Sequence, residues 1–301
     1  MTTLHVTDGG LETDLVFNHH VELPEFAAFP LLDSAEGRAM LRRYYGEYTD
    51  IARRASAPLL LETPTWRANP DHAALLGYST KDLDRVNRQS VEFLSCLASG
   101  LGADVPAWSV GGIIGPRGDG YRTDGPINPA QAAEYHRPQL EAFRSAGAHR
   151  ATALTLTEVG EAVGIVNAAT DVRIPVAIGF TVETDGRLPD GTTLNEAITA
   201  VDSATQSAAA YFLINCAHPK HINAGLQEGA WTERIGGLRV NASTMSHAEL
   251  DEATELDDGD PTQLAIDQKP LLDSFKNLQV LGGCCGTDHR HIAAMWDVAQ
   301  N

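Results

Sequence analysis

The sequence predicts an α/β protein with the fold of a single-domain (β/α)8 TIM barrel over residues 1–301. Two observations predict it: eight short, almost wholly apolar segments recur along the chain, and segments with helix-capping residues separate them. Strands that are apolar on both faces are typical of parallel sheets covered by helices, and eight strand–helix units fit about 300 residues. A doubly wound sheet is the alternative, but no Gly-x-Gly-x-x-Gly motif follows the first candidate strand.

The candidate strands are short and rich in β-branched and aliphatic residues, which is the pattern of buried strands. They lie at 4–8, 58–62, 105–110, 151–156, 174–180, 211–215, 237–241 and 278–282. No stretch rich in Pro, Gly and Ser is long enough to separate two domains.

Helix-capping residues stand before several of the segments between these strands. Asn128 followed by Pro129 supplies an N-cap and a proline at the first helical position. Ser79 or Thr80 can cap the segment that follows it. Capping boxes, in which a Ser or Thr precedes a Glu by three residues, are predicted at Thr193 with Glu196 and at Ser246 with Glu249.

Three local features have interpretations that do not involve function. Pro138 predicts a kink or break in the helix that begins near residue 129. The acidic stretch 249–260 is expected to be a solvated helix end and loop. Cys96 lies in an apolar helical pattern and is predicted to be a core residue.

Composition and charge exclude several classes of partner. The chain has 22 Lys and Arg against 40 Asp and Glu, a net charge of −18, whereas nucleic acids and anionic membranes need a basic face. No apolar run reaches the roughly 18 residues of a membrane span. The N-terminus lacks the pattern of a signal peptide, and four cysteines make no disulfide scaffold. We therefore expect a cytoplasmic protein that acts on small molecules, with an oligomeric state that the sequence leaves open.

Polar residues and glycines follow almost every candidate strand. In a (β/α)8 barrel the active site lies at the carboxyl ends of the strands, so these residues should meet at one mouth. Cys216 follows the sixth strand, and Cys284 and Cys285 follow the eighth. The sequence therefore predicts that these three cysteines come together.

Three thiolates with an open fourth position fit a catalytic zinc site. Adjacent cysteines in a regular strand point to opposite faces, so Cys284 and Cys285 can converge only where the chain leaves the strand. The glycines around them supply that freedom. The alternatives are inert buried cysteines, or nitrogen ligands from His218 and His221; His289 and His291 are interpreted as exposed helix residues.

Several motifs together resemble the homocysteine S-methyltransferase family, which includes betaine- and S-methylmethionine-dependent enzymes. They are DGGLETDL, LETPTWRANP, GGIIGPRGDGY, LTLTEVGEA, the FLINC run and LGGCCGT, and they extend from Asp8 to about Ile292. The last two are the most specific. The resemblance implies a (β/α)8 barrel and zinc bound by Cys216, Cys284 and Cys285, which are the catalytic centre.

The resemblance also implies where the amino-acid end of homocysteine binds. It assigns this role to Asp8 with Gly9 and Gly10, and to Glu158 after the fourth strand. Carboxylates suit an α-ammonium group, and backbone N–H groups at a glycine turn suit an α-carboxylate. Without the resemblance, Asp8 is interpreted as a turn residue and Glu158 as a first-turn helix residue. Asn215 and Asn241, which end the sixth and seventh candidate strands, are also predicted to bind substrate.

The methyl donor is the least transferable property, because the loops that face it depart from the family pattern. The stretch after the seventh strand reads Asn-Ala-Ser-Thr where many members have Pro-Asn-Ser-Gly. An onium donor is expected, since a zinc site with four thiolates is anionic and attracts a cation. Aromatic faces at Trp66 and Tyr121 could contact the cation, and Glu62, Asp119 and Glu183 are candidate counter-charges.

The predicted reaction is transfer of a methyl group from S-methylmethionine to the thiol of homocysteine, giving methionine. Betaine or another methylated onium is the alternative donor for the same site. A zinc hydrolase is disfavoured, because such sites usually use His and carboxylate ligands. A non-catalytic zinc- or thiol-binding protein is the alternative of another class, but it would not need Asp8, Gly9, Gly10 and Glu158 around the same mouth.

Overall fold

In a computed structural model, which describes residues 3–122 and 125–300, eight parallel strands close into a barrel in the order β1 to β8. The strands are β1 His5–Val6, β2 Leu59–Glu62, β3 Trp108–Ile114, β4 Arg150–Leu156, β5 Val176–Phe180, β6 Tyr211–Asn215, β7 Ile235–Val240 and β8 Val280–Gly283. The predicted (β/α)8 barrel is confirmed, and each candidate strand overlaps an observed one. That the domain extends over all of 1–301 stays a prediction.

The largest error in the predicted strands is at β3, which lies further along the chain than 105–110. Gly111 and Gly112 are inside the strand rather than after it. A Cβ on Gly112 would lie 2.3 Å from the ring of Phe143, so this glycine lets a helix pack close to the sheet. The predicted strand stops at residue 110 because glycine has a low strand propensity and gives no strand signal.

The barrel is surrounded by helices that connect successive strands. They are α1 Leu11–Thr13, α2 Ala35–Ala55, α3 Pro70–Leu75, α4 Thr80–Ser99, α5 Pro129–Ser145, α6 Val159–Val172, α7 Leu194–Thr205, α8 Pro219–Gly225, α9 His247–Glu252, α10 Pro261–Ser274 and α11 His289–Ala299. In the part of the chain that the structure describes, none of them is long and apolar enough to cross a membrane.

The predicted helix starts are confirmed. Asn128 caps α5, Ser79 caps α4, and both predicted capping boxes form, at the start of α7 and of α9. Pro138 does not break α5, which continues to Ser145. Tertiary packing of α5 on its neighbour α6 maintains the helix despite the proline.

Burial differs from expectation at two places. Cys96 is exposed rather than in the core, because the buried face of α4 runs through Asn87, Val91, Leu94 and Ala98. The stretch 249–260 is more than a solvated loop, since several of its residues line a pocket at the barrel mouth, next to Cys284 and Cys285.

Both faces of the strands are buried, as their composition predicted. One apolar cluster fills the barrel interior and a larger one lies between the strands and the helices; the interior cluster includes Leu60, Ile113, Leu154, Ala177, Leu213 and Val280. The interior is therefore closed to solvent below the carboxyl ends of the strands, and polar groups collect above it.

Candidate metal centre and substrate pocket

Three cysteine sulfurs meet at the mouth of the barrel. The Sγ atoms of Cys216, Cys284 and Cys285 lie within 4.8 Å of one another and could hold a metal ion. Cys216 is fully buried, and the other two cysteines are partly exposed. The prediction that these residues come together is confirmed.

The backbone around each cysteine explains how they converge. Cys216 directly follows β6 and has a left-handed conformation, with φ of 52°. Strand β8 ends at Gly283, so Cys284 and Cys285 lie in a turn, which Gly286 closes with φ of 77°. The adjacent cysteines therefore converge where the chain leaves the strand, as predicted.

Neighbouring strands anchor this turn through the main chain. The N–H of Cys284 donates to the carbonyl of Val240 at 2.8 Å, and the carbonyl of Cys285 accepts from Ala242 at 3.1 Å. A Cβ on Gly10 would lie 2.5 Å from the carbonyl oxygen of Cys284, so the turn after β1 packs against the cysteine pair. The backbone thus positions the sulfurs independently of their protonation.

The pKa values of the three thiols are shifted in different directions. Hydrogen bonds from Cys216 and Cys285 hold the pKa of Cys284 well below its usual range, and the positive charge of Arg239 contributes. The hydrogen bond to Cys284 and burial raise the pKa of Cys216. Cys284 is therefore the most acidic of the three thiols.

A tyrosine hydroxyl lies directly beside the sulfurs. The Oη atom of Tyr121 is 3.2 Å from Sγ of Cys216 and 3.4 Å from Sγ of Cys285. Burial and the neighbouring sulfurs raise the pKa of Tyr121, so its hydroxyl keeps its proton. The sequence placed Tyr121 on a loop facing the donor; the structure places it against two of the predicted metal ligands.

The ring of Tyr121 is supported by His247, which stacks on it with 4.3 Å between ring centroids. Nδ1 of His247 is 3.0 Å from Oε1 of Glu183, and Nε2 is 2.8 Å from the carbonyl oxygen of Cys216. Burial alone would lower the pKa of His247, but these two acceptors raise it above its usual value. Glu183, a candidate counter-charge for the donor, is therefore paired with His247.

Asn215 lies behind the sulfurs rather than in the open pocket. Its Oδ1 accepts the N–H of Thr155 and its Nδ2 donates to Oγ1 of Thr155, both at 2.9 Å. Nδ2 also lies 4.0 Å from Sγ of Cys284. Thr155 has φ of 64° at an irregularity in the pairing of β4 with β5. Asn215 therefore connects a strained strand residue to a predicted metal ligand.

Cys284 and Cys285 line a pocket of about 370 Å³. Its wall comes from the loops after β1, β2, β3 and β7 and from the cysteine turn, and it includes the predicted residues Asp8, Gly9, Gly10, Glu62, Trp66, Tyr121 and Asn241. Sequence reasoning did not select Glu12, Phe17, Phe26, Arg67, Thr155 and Arg239, nor the loop residues Leu250, Asp251, Ala253, Glu255, Leu256 and Asp257, which also line it.

Arg239 binds both predicted carboxylates on the pocket floor. It donates to Oδ1 of Asp8 at 2.6 Å and to a carboxylate oxygen of Glu62, and all three side chains are buried. Arg239 also donates to the carbonyls of Gly9 at 3.2 Å and Gly283 at 3.0 Å. A lone arginine in an apolar strand gave no sequence signal, because its partners are far away in the chain.

Two predicted acceptor contacts have other tasks in the structure. The N–H of Gly10 donates to the carbonyl of Thr287 at 2.9 Å. Glu158 is the N-cap of α6, and its two oxygens accept from the backbone N–H of Glu161 at 2.9 Å and of Ile127 at 3.1 Å. Glu158 does not line the pocket, so the geometry supports its interpretation as a helix residue, and a role in binding homocysteine stays a prediction.

The aromatic residues predicted to contact the donor line the pocket, but their ring faces are partly covered. The guanidinium of Arg67 lies over the ring of Trp66, 4.2 Å from its centroid. Tyr121 has one face on His247. Phe17 and Phe26 line the same pocket. Aromatic surface is therefore available, without a cage of free ring faces around one point.

The histidines near the cysteines have structural roles. His218 caps α8 and is buried, and Nε2 of His221 lies 3.1 Å from the carbonyl oxygen of Thr244. His291 is fully buried against Asp288, so its interpretation as an exposed residue is wrong, whereas His289 is half-exposed. The group of potential ligands in the described residues is the set of three cysteines.

Comparison with known proteins adds the family. A profile of the family described as homocysteine S-methyltransferase matches residues 5–299. The homocysteine S-methyltransferase of Escherichia coli strain K12 is 26% identical over 243 residues, which cover 77% of each chain.

Solved structures of homocysteine methyltransferase MmuM from Escherichia coli have the same fold. The metallated form aligns with a TM-score of 0.75 and 22% identity, covering 98% of this chain and 96% of that one. The oxidised form aligns with a TM-score of 0.75 and 23% identity, covering 97% and 94%. The match over 5–299 confirms the family suggested by the motifs and, with it, the predicted enzyme class: the chain belongs to the homocysteine S-methyltransferase family.

Proposed function

We propose that this enzyme transfers a methyl group from S-methylmethionine to homocysteine at a zinc site formed by Cys216, Cys284 and Cys285. The observation that carries the proposal is the convergence of the three sulfurs beside a pocket of about 370 Å³, which Cys284 and Cys285 line. Three soft ligands with room for a fourth suit zinc in a catalytic role. When bound, zinc would lower the pKa of an incoming thiol and keep it as a nucleophilic thiolate.

The residues of the chain bind and orient the two substrates. The pocket opens directly onto Cys284 and Cys285, so a substrate sulfur can reach the cysteines from it. Asp8, Gly9 and Gly10 form its floor on the side of the acceptor. The remaining task is to align the sulfur, the methyl carbon and the leaving group in one line, which fixed walls achieve by lowering the entropic cost of the encounter.

The charge of the pocket favours a cationic methyl donor. Asp119, Asp257 and the exposed Glu255 line it, and so does Asp251, which is paired with Arg122. Arg239 balances one of the two negative charges of Asp8 and Glu62. Transfer of the methyl group removes the positive charge of an onium donor, so the acidic surroundings attract the donor more than its product.

S-methylmethionine is favoured over betaine on the aromatic contacts. A trimethylammonium group is bound best by several free ring faces around it. Trp66 has one face under Arg67, and Tyr121 has one face on His247. A sulfonium with an amino-acid end can also use polar groups. The four free thiols require a reducing compartment, so we also propose that the enzyme works in the cytoplasm.

A methyl-transfer assay with a panel of donors tests this function. Purified enzyme is supplied with zinc, homocysteine and either S-methylmethionine, betaine or a neutral methyl ester, and methionine is measured. We expect S-methylmethionine to be the fastest donor. Turnover with betaine alone would contradict the proposed donor, and zinc binding without turnover of any onium would favour a non-catalytic zinc- or thiol-binding protein.

A further inference from the structure

Among the described residues, one half-buried glutamate of the pocket has no ion pair and no side-chain hydrogen-bond partner. Glu12 lies in the turn after β1 and lines the pocket together with Cys284. Over residues 3–122 and 125–300, its recorded hydrogen bond is to its own backbone. Burial raises the pKa of Glu12 to about 7, and the negative charges of Asp8 and Cys284 add to this effect.

The other buried or half-buried pocket carboxylates are already bound. Asp8 and Glu62 share Arg239. Asp257 accepts from Oγ of Ser243 at 2.5 Å. Among the described residues, Glu12 is therefore the buried or half-buried carboxylate of the pocket with no arginine or hydroxyl partner on either oxygen, whereas Glu62 lacks a hydrogen bond only at Oε1.

A matching cation faces the same pocket. Arg67 lines it, and its recorded hydrogen bond is from Nη1 to the carbonyl of Gly118 at 3.2 Å. Its Nε atom is buried without a hydrogen-bond partner in the described residues. Glu12 is among the groups whose negative charge acts on Arg67, so the two side chains share one electrostatic environment.

Within residues 3–122 and 125–300, Glu12 and Arg67 form no ion pair, and an anion and a cation on the wall of one pocket fit a zwitterion. We propose that Glu12 binds the α-ammonium group and Arg67 the α-carboxylate of the amino-acid substrate, so that this pair selects for free α-amino acids. This inference rests on the proposed function for the identity of the substrate. It adds two specificity-determining residues that the motifs did not indicate.

The pair has a physical advantage over Asp8 for this task. Asp8 is already neutralised by Arg239, so binding an ammonium group there would weaken a buried ion pair. Binding at Glu12 instead gives a half-buried carboxylate a cation to pair with, and binding at Arg67 gives the buried Nε an acceptor. A guanidinium also suits a carboxylate because it can donate two parallel hydrogen bonds.

The test uses methionine, the proposed product, which carries both charged groups and no thiol. Its affinity is compared by calorimetry with 4-(methylthio)butanoate, which lacks the ammonium group, and with 3-(methylthio)propylamine, which lacks the carboxylate. We expect the wild type to prefer methionine over each analogue by roughly 10- to 100-fold, the effect of one charge-assisted contact.

The variants should lose these preferences separately. Glu12→Gln should no longer prefer methionine over 4-(methylthio)butanoate, but it should still prefer methionine over 3-(methylthio)propylamine. Arg67→Gln should no longer prefer methionine over 3-(methylthio)propylamine, but it should still prefer methionine over 4-(methylthio)butanoate. Glu252→Gln and Arg187→Gln are matched controls, because Glu252 is exposed on α9 and Arg187, like Arg67, donates to one glycine carbonyl. Both controls should keep both preferences.

Failure of the inference is distinct from failure of the proposed function. Unchanged preferences in a folded Glu12→Gln variant, or no binding of methionine to the wild type, would overturn the inference even if methyl transfer to homocysteine is observed. Selective methionine binding without methyl transfer would overturn the proposed function, but it would support the binding of amino acids by Glu12 and Arg67. If Glu12→Gln does not fold, Glu12→Ala provides the same comparison.

Discussion

The side chain of Asn215 binds Thr155 through two hydrogen bonds of 2.9 Å, one from the backbone N–H of Thr155 and one to its hydroxyl. Thr155 has φ of 64°, a conformation that costs a residue with a branched side chain about 1–3 kcal/mol. Because Asn215 directly precedes Cys216 and contacts Cys284, the same side chain couples the strained residue to the metal centre.

Replacing Asn215 with Ala should therefore affect both stability and metal binding. We expect the free energy of unfolding to fall by about 1–3 kcal/mol, because buried groups of Thr155 lose their partners. Metal affinity should fall roughly 10-fold, as is usual when an outer contact of a ligand is lost. Urea unfolding and metal titration measure the two effects. Asn195→Ala, at an exposed position, should change neither.

Removing one cysteine of the centre should release the metal. Cys285→Ser should weaken zinc binding by at least about 100-fold, more than the loss of an outer contact does. Metal analysis of the purified protein should give about one ion per chain for the wild type and for Cys96→Ser, whose thiol is exposed on α4. Chelation should abolish methyl transfer and added zinc should restore it, so full activity of metal-free Cys285→Ser would exclude the proposed centre.

Glu158→Ala should destabilise the fold rather than remove a substrate contact. Its carboxylate caps α6, and loss of an N-cap costs about 0.5–2 kcal/mol. Asp260→Ala should cost a similar amount, because Asp260 caps α10 by accepting the N–H of Gln263 at 2.7 Å. Thermal unfolding measures both, and titration with methionine completes the test. A tenfold loss of affinity in a fully stable Glu158→Ala variant would instead support the contact implied by the family resemblance.

The elevated pKa of Glu12 predicts a dependence of stability on pH. Its pKa is about 7 in the folded protein against an ordinary value of 4.5, so the folded state binds more protons between these values. Stability should fall as pH rises from about 4.5 through 7, by on the order of 1–2 kcal/mol after allowance for solvent at the pocket. Glu12→Gln should lose this component. Urea unfolding at several pH values compares the two, and parallel profiles would mean that Glu12 does not titrate in this range.

The features that the sequence predicted well depend on local patterns. Strands buried on both faces keep apolar residues at consecutive positions, so all eight were found. The convergence of Cys284 and Cys285 followed from the glycines around them, since only an irregular turn lets neighbouring side chains point the same way. Capping residues marked helix starts because their side chains act within three residues of the helix end.

The features that the sequence missed depend on contacts between distant residues. Arg239 is one arginine among apolar neighbours, and its partners Asp8 and Glu62 are 231 and 177 residues away. Gly112 lies outside the third candidate strand. In the structure it lies inside β3, where the absence of a side chain allows the close approach of Phe143. Whether Glu12 has an ion-pair partner depends on the folded pocket, where none is found among the described residues, and no pattern along the chain predicts it.

The triad of Asp8, Arg239 and Glu62 also restricts how the enzyme can evolve. Loss of Arg239 would leave two buried carboxylates without a cation, which costs about 3–5 kcal/mol, a large part of the stability of a typical domain. Loss of either carboxylate would leave an N–H group of the buried Arg239 without its acceptor. A joint replacement by uncharged residues of similar volume need not carry this cost. The effect of replacing one residue of the triad therefore depends on the other two. A lineage selected by single substitutions for a new substrate should change Glu12 and Arg67 and retain the triad.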